Sequence, residues 1–214
     1  MDAPDASDPQ PTPADLAAYF GGAYPTLERF GELLSTEGIV RGLLGPREVP
    51  RLWERHLLNC AAVVPFLPPA GRLLDIGSGA GLPGIVIAAM RPTQEVVLIE
   101  PMERRVNWLN EVVSGLDLSN VTVLRGRASD VFGQVRGAAV TARAVAALEK
   151  LLDWSAPLLE PHGTLLALKG SSVAAEIPAP NVLRHRGWLE PEIFEARTLP
   201  GLEPTTVVKV QRSR

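Results

Sequence analysis

Leu73 to Ile87 read LLDIGSGAGLPGIVI: an apolar run that reaches an acid at Asp75, three glycines at alternate positions, Gly77, Gly79 and Gly81, then a second apolar run. Glycine at such positions lets the chain turn sharply and lets a ligand approach the backbone where a Cβ would block it. The pattern predicts a strand, a tight loop and a helix that opens near Leu82 and Pro83, because proline's missing N–H costs nothing in a first helical turn. A second acid, Glu100, closes the apolar run Val96-Val97-Leu98-Ile99. Two strand-end acids flanking a glycine loop describe a nucleotide-binding corner. The dinucleotide fingerprint G-x-G-x-x-G fits this loop less well, since the third glycine comes one position early. A glycine-rich turn capped by Asp75 and holding no ligand is the plain alternative.

The D-x-G-x-G order of Asp75, Gly77 and Gly79 resembles the motif of class I S-adenosylmethionine-dependent methyltransferases. That resemblance implies S-adenosyl-L-methionine as cofactor, with Glu100 holding its ribose hydroxyls. Methyl transfer from a sulfonium is an in-line displacement, so the protein mainly aligns nucleophile, methyl and leaving sulfur. No residue of the chain stands out as a general base. Cys60 precedes the glycine loop, away from the strand ends where a cysteine nucleophile would be needed. Amine methylases commonly carry an Asn/Asp-Pro-Pro-aromatic turn after strand four, where this chain has Thr141-Ala142-Arg143-Ala144. Both absences favour a ring-nitrogen acceptor such as guanine N7, which has an in-plane lone pair and no proton to remove.

Several cations could position an acceptor. Arg143 ends the fourth expected strand, where a guanidinium can hold a carboxylate or phosphate in bidentate fashion, or serve in a surface salt bridge. Lys169 ends the fifth and could meet a phosphate of a looped or flipped guanosine, or sit solvated. Arg47, Arg51, Arg55 and His56 recur at about one helical turn and could present one face to RNA. Glu48 and Glu54 interrupt them, as on an ordinary solvated helix, and His56 by itself reads as a satisfied structural histidine at least as readily as a catalytic one. Arg104 and Arg105 read first as a solvated helix start and second as RNA contacts, and Trp53, Trp108, Trp154 and Trp188 as packing residues. Cys60 reads as a small buried hydrophobe.

The elements that must place these residues are legible in outline. Residues 1–13 carry four prolines among Asp, Ala, Ser and Gln, the composition of a disordered tail. Over 14–70 apolar residues recur at helical spacing, which predicts an N-terminal cap of about three helices. From 71 to 214, strands near 72–76, 95–100, 120–125, 137–142 and 163–169 alternate with helices near 83–90, 102–115 and 145–159. A final pair, Pro191 to Thr198 and Thr205 to Val210, fits an antiparallel hairpin. The expected fold class is α/β: a Rossmann-like, mostly parallel seven-stranded sheet covered on both faces, with a helical N-terminal extension. Its ligand belongs at the carboxyl ends of the strands.

The 214 residues suffice for one α/β domain, with 46% hydrophobic content. One cysteine excludes an internal disulfide framework, and three scattered histidines offer no metal cluster. No apolar stretch approaches the roughly 20 residues of a membrane span. A soluble, cytoplasmic monomer is expected. A net charge of −3 gives no global attraction to nucleic acid, so RNA would have to be met by a local basic surface.

More specific segments accompany the loop. Arg51-Leu52-Trp53-Glu54-Arg55-His56-Leu57-Leu58 precedes it and Leu82-Pro83-Gly84 extends it. Arg104-Arg105-Val106-Asn107-Trp108-Leu109, Arg143-Ala144 and Leu168-Lys169-Gly170 follow in order. Together they resemble the RsmG (GidB) family of bacterial small-subunit rRNA guanosine-N7 methyltransferases. The resemblance implies 16S rRNA in the small ribosomal subunit as partner, with the acceptor in a decoding-region loop. It places donor contacts at Gly77, Leu82, Ala128, Ser129 and Arg143, and RNA contacts at Arg51, Arg55, His56 and Lys169. Two positions depart from the family pattern. Asn59-Cys60 stands where an Asp-Ser pair is usual, and Glu203-Pro204-Thr205 where a basic residue is frequent. A small-molecule or protein acceptor on the same fold, and a non-enzymatic nucleotide- or RNA-binding module, are the competing readings.

Overall fold

The computed structural model describes residues 10–214, so most of the expected tail lies outside the described residues. Thr12 caps the first helix. Its hydroxyl accepts from the Asp15 amide at 3.2 Å while Asp15 Oδ2 accepts from the Thr12 amide at 3.0 Å, a reciprocal cap that starts helix α1 (Pro13–Phe20). A short turn leads into α2 (Tyr24–Ser35), which buries Leu27, Phe30 and Leu34 along one stripe, and α3 (Glu37–Val40) follows. The expectation of about three helices understates what comes next. Pro46–Arg51 forms a 3₁₀ turn, Trp53–Leu58 is π-helical, and α4 (Asn59–Ala61) continues it. π-turns are uncommon and favour functional segments.

The core sheet holds seven strands: β1 (Leu73–Ile76), β2 (Val96–Glu100), β3 (Val121–Arg125), β4 (Gly137–Arg143), β5 (Leu159–Lys169), β6 (Glu192–Ala196) and β7 (Thr205–Gln211). Their order is β3-β2-β1-β4-β5-β7-β6. The first five run parallel, and β7 lies antiparallel between β5 and β6. Helices α5 (Gly84–Met90), α6 (Glu103–Gly115), α7 (Leu148–Ser155) and α8 (Pro180–His185) complete the chain. Several boundaries differ from expectation; α7 is shorter at both ends than the expected 145–159, and α8 is a helix beyond those expected. The helix after the glycine loop opens at Gly84, one residue beyond Pro83, and β5 starts at Leu159, with its early residues Glu160, Pro161 and His162 exposed.

Side chains alternate along the strands, so the sheet separates two cores. Leu73, Val96, Leu98, Leu166, Leu168 and Val207 pack with the N-terminal cap, α5 and α6. Leu74, Ile76, Val97, Ile99, Leu165, Ala167, Val208 and Val210 pack with α7 on the other face. Both faces are covered, which is why β1 and β2 are buried along their whole length and read as continuous apolar runs. The cap is therefore half of one core. Phe20, Leu27, Phe30, Leu34, Leu57 and Leu58 share it with Ile85 and Leu109. Among the described residues no helix is long and apolar enough to cross a membrane.

Candidate donor and acceptor clefts

The glycine loop turns as its composition requires: Gly77, Gly79 and Gly81 have φ of 69°, 56° and 101°. A Cβ on Gly77 would stand 2.9 Å from Val145 Cγ2. Behind the loop Asp75 is 1% exposed and both its oxygens are engaged. Oδ1 accepts from Thr141 Oγ1 at 3.0 Å, Oδ2 from the Gly84 amide at 3.2 Å, and the Asp75 carbonyl from Ser78 Oγ at 2.9 Å. Asp75 thus ties β1 to β4 and to the start of α5. Burial pushes its carboxyl up to about 7 against the opposing hydrogen bonds. On the far side, Trp108 Nε1 donates to the Ala80 carbonyl at 3.0 Å and pins the loop to α6.

Glu100, also 1% exposed, curls back under the same loop. Its Oε2 accepts from the Gly79 amide and its Oε1 from the Met102 amide, both at 2.9 Å. Arg105 Nη1 lies 3.9 Å from Oε2, and Arg105 Nε is buried without a hydrogen-bond partner among the described residues. Each carboxylate oxygen keeps a free lone pair for a hydroxyl. Beside it opens a cleft of about 460 Å³, lined by Ile76, Gly77, Ile99, Pro101, Gly126, Arg127, Ala128, Ser129, Val145 and Trp154. Its volume falls in the range of small-ligand sites. Apolar walls with the glycine loop at one end, and the Glu100 carboxylate buried beneath that loop, suit a nucleoside, whose flat base wants apolar faces and whose ribose wants acceptors. S-adenosyl-L-methionine fits that lining.

A second depression lies on the other side of the turn after β4, lined by Asn59, Arg143, Ala144, Leu168, Lys169, Gly170 and Glu176. Arg143 and Val145 are two residues apart, so this turn forms the partition between the clefts. Ala144 takes a φ of 54° there. Arg143 Nη1 donates to the Arg55 carbonyl and to Asn59 Oδ1, both at 3.1 Å, and Nη2 lies 2.9 Å from His56 Nδ1. His56 Nε2 is 3.0 Å from Glu48 Oε2. Asn59 Nδ2 in turn donates to Thr205 Oγ1 at 2.9 Å, linking β7 to the cluster. Burial and the Arg143 charge hold the His56 ring below its usual pKa against the pull of Glu48.

Of the residues singled out from sequence, Gly77, Ala128 and Ser129 line the donor cleft. Gly79 and Gly81 shape its loop, and Glu100 braces it. Asp75 supports from behind, and Leu82 is buried in the core against the cap rather than in the cleft. The basic face expected on Arg51, Arg55 and His56 is divided. Arg51 pairs with Glu54 at 2.6 Å, His56 turns inward to Arg143, and Arg55 stays exposed with Glu48 at 3.9 Å. Lys169 bonds the Ala146 carbonyl at 3.0 Å and Glu176 at 2.6 Å, so it stabilises the turn that forms the partition. Sequence reasoning gave no functional role to Glu48, Asn59 or Trp154, and read Arg105 as a solvated helix start or an RNA contact rather than a neighbour of Glu100. Glu48 and Asn59 become visible through the cluster around Arg143, Arg105 through the buried Glu100, and Trp154, read as packing, is an exposed wall of the first cleft. Cys60 is fully buried, its thiol pushed up to about 11, and takes no part.

The parallel sheet with its final antiparallel hairpin and strand-end cleft defines the class I S-adenosylmethionine-dependent methyltransferase fold. A SAM-dependent O-methyltransferase from Thermotoga maritima superposes with a TM-score of 0.55 at 16% identity, over 78% of this chain and 70% of that one. The chain belongs to the GidB family, whose model, rRNA small subunit methyltransferase G, matches residues 23–183. Proteins named ribosomal RNA small subunit methyltransferase G are among its relatives. That of Thermobifida fusca is 54% identical over 92% of this chain and 84% of its own. That of a Nocardioides species is 53% identical over 86% and 74%.

Proposed function

We propose that this chain transfers a methyl group from S-adenosyl-L-methionine to N7 of one guanosine in small-subunit rRNA. The observation that carries the reading is the pair of clefts at the carboxyl ends of the strands, parted by the turn from Arg143 to Val145, in a chain of this family. The donor supplies an electrophilic methyl on a sulfonium. The apolar walls and Trp154 would hold its base, Glu100 its ribose hydroxyls, and the loop amides and Arg143 its charged end. On the other side of the partition, Arg143 and the outer rim orient the acceptor. Guanine N7 has no proton, so the enzyme's task is alignment and exclusion of water. That matches a site whose titratable side chains are committed to one another.

Mass mapping of small-subunit rRNA from cells with and without the gene tests the reading. One 7-methylguanosine should vanish with the gene and return on incubation of the unmethylated subunit with purified protein and donor. An unchanged map would redirect the search to metabolite and protein acceptors.

A further inference from the structure

The partners of Arg143 are all uncharged: a carbonyl, an amide oxygen and an imidazole nitrogen. Among the described residues it makes no ion pair, so its full charge remains available at the partition between the clefts. Arginine has donors and no acceptor. His56 Nδ1, facing Nη2 at 2.9 Å, must therefore carry a lone pair, which leaves the proton on Nε2, where Glu48 Oε2 accepts it at 3.0 Å. One tautomer satisfies both contacts. The chain of bonds runs from the 3₁₀ turn of Glu48 through the π-helical segment of His56 to the end of β4. The π-helix brings both the His56 ring and the Arg55 carbonyl onto the same guanidinium.

We propose that Glu48 and His56 are positioning residues for methyl transfer: Glu48 fixes the His56 tautomer, and neutral His56, as acceptor, fixes the orientation of the Arg143 guanidinium. The inference rests on the function proposed above. Protonation of His56 would set an N–H against the N–H of Arg143 and one cation against another, which turns the guanidinium out of place. The charged groups facing the ring are Glu48, Arg143 and Arg55. Asp75, another titratable group near Arg143, whose carboxyl burial pushes up to about 7, lies behind the glycine loop.

The test is the pH dependence of kcat and of donor KM, with unmethylated small subunits as acceptor, for wild type, His56→Gln and Glu48→Gln, with thermal unfolding followed at each pH. Wild-type kcat should fall tenfold per unit on the acid side of the His56 titration, and donor KM should rise with it, because the same guanidinium holds the charged end of the donor. A glutamine amide oxygen accepts without titrating, so His56→Gln should lose that acid limb while folding normally. Glu48→Gln should move the limb to lower pH, because Glu48 raises the His56 pKa. A limb unchanged in His56→Gln assigns it to Asp75 or another group and overturns the relay while the proposed function stands. No transfer by wild type at any pH sinks the proposed function and the catalytic relay with it. The tautomer is read separately by ¹⁵N NMR of the three histidines. A neutral His56 protonated on Nδ1 would overturn the relay whatever the activity.

Discussion

At the residue scale, substitution of Arg143 separates charge from geometry. Its fork makes three bonds to three neutral acceptors, and a lysine carries the charge without the fork. Arg143→Lys should fold like wild type and lower kcat/KM on the order of 100-fold, since misplacement by about 1 Å costs that much. Near-normal turnover in single-turnover methyl transfer would show that charge alone suffices. Asp75 gives a second, thermodynamic prediction. Its carboxyl titrates near 7 in the fold against 3.8 as reference, so the folded state holds a proton that the unfolded chain has released between those limits. The stability this gives is complete below about 3.8 and lost as pH rises through 7, by roughly 4 kcal/mol at most. Asp75→Asn removes the titration. Urea unfolding at pH 5 and pH 8 should show the difference shrinking in the variant, and an equal difference in both proteins would reject the assignment.

At the element scale the glycine loop works because its conformation and its neighbours agree. Gly77 needs a positive φ, and the space beside its Cα belongs to Val145 on the partition. Gly77→Ala is expected to cost about 1–3 kcal/mol of stability. By shifting Val145 it should also weaken donor binding, as titration calorimetry would measure; unchanged affinity would mean that the loop and the partition are uncoupled. The strand–loop–helix corner was legible because continuous apolar runs, three glycines and two acids are local signals. The same is true of the order of the seven strands' segments. The π-helix at Trp53–Leu58 was not legible, because its sequence has the apolar spacing of an ordinary helix and its geometry answers to β4. For the same reason the sequence leaves His56 between an RNA-facing residue and a satisfied structural histidine. Its partners Glu48 and Arg143 lie 8 and 87 residues away, and the latter separation leaves no trace in any local pattern. Leu82 sits where the loop meets the cap: its side chain packs in the core, a placement that the motif order alone does not reveal.

At the scale of the whole molecule the question is how a chain of net charge −3 holds a polyanion. Much of its positive charge is spent internally. Arg41 pairs with Glu111, Arg72 with Glu95, Arg125 with Glu103, Arg186 with Glu149 and Asp153, and Lys209 with Glu192. Arg47, Arg104 and Arg127 make no ion pair among the described residues and are exposed. Arg127 lines the donor cleft, and Arg104 stands in the first turn of α6, just past the carboxyl end of β2. A rim with few free cations predicts a shallow salt dependence for rRNA binding, because the slope of log K against log salt counts the phosphates neutralised. Arg104→Ala and Arg127→Ala should each reduce that slope by about one. Arg186→Ala, on a cation already paired with two acids, should leave it unchanged. Fluorescence anisotropy with a small-subunit rRNA fragment at several salt concentrations measures all three. A slope that falls equally in the Arg186 variant would mean that RNA breaks the internal pairs to bind, and that the acidic surface is displaced rather than avoided.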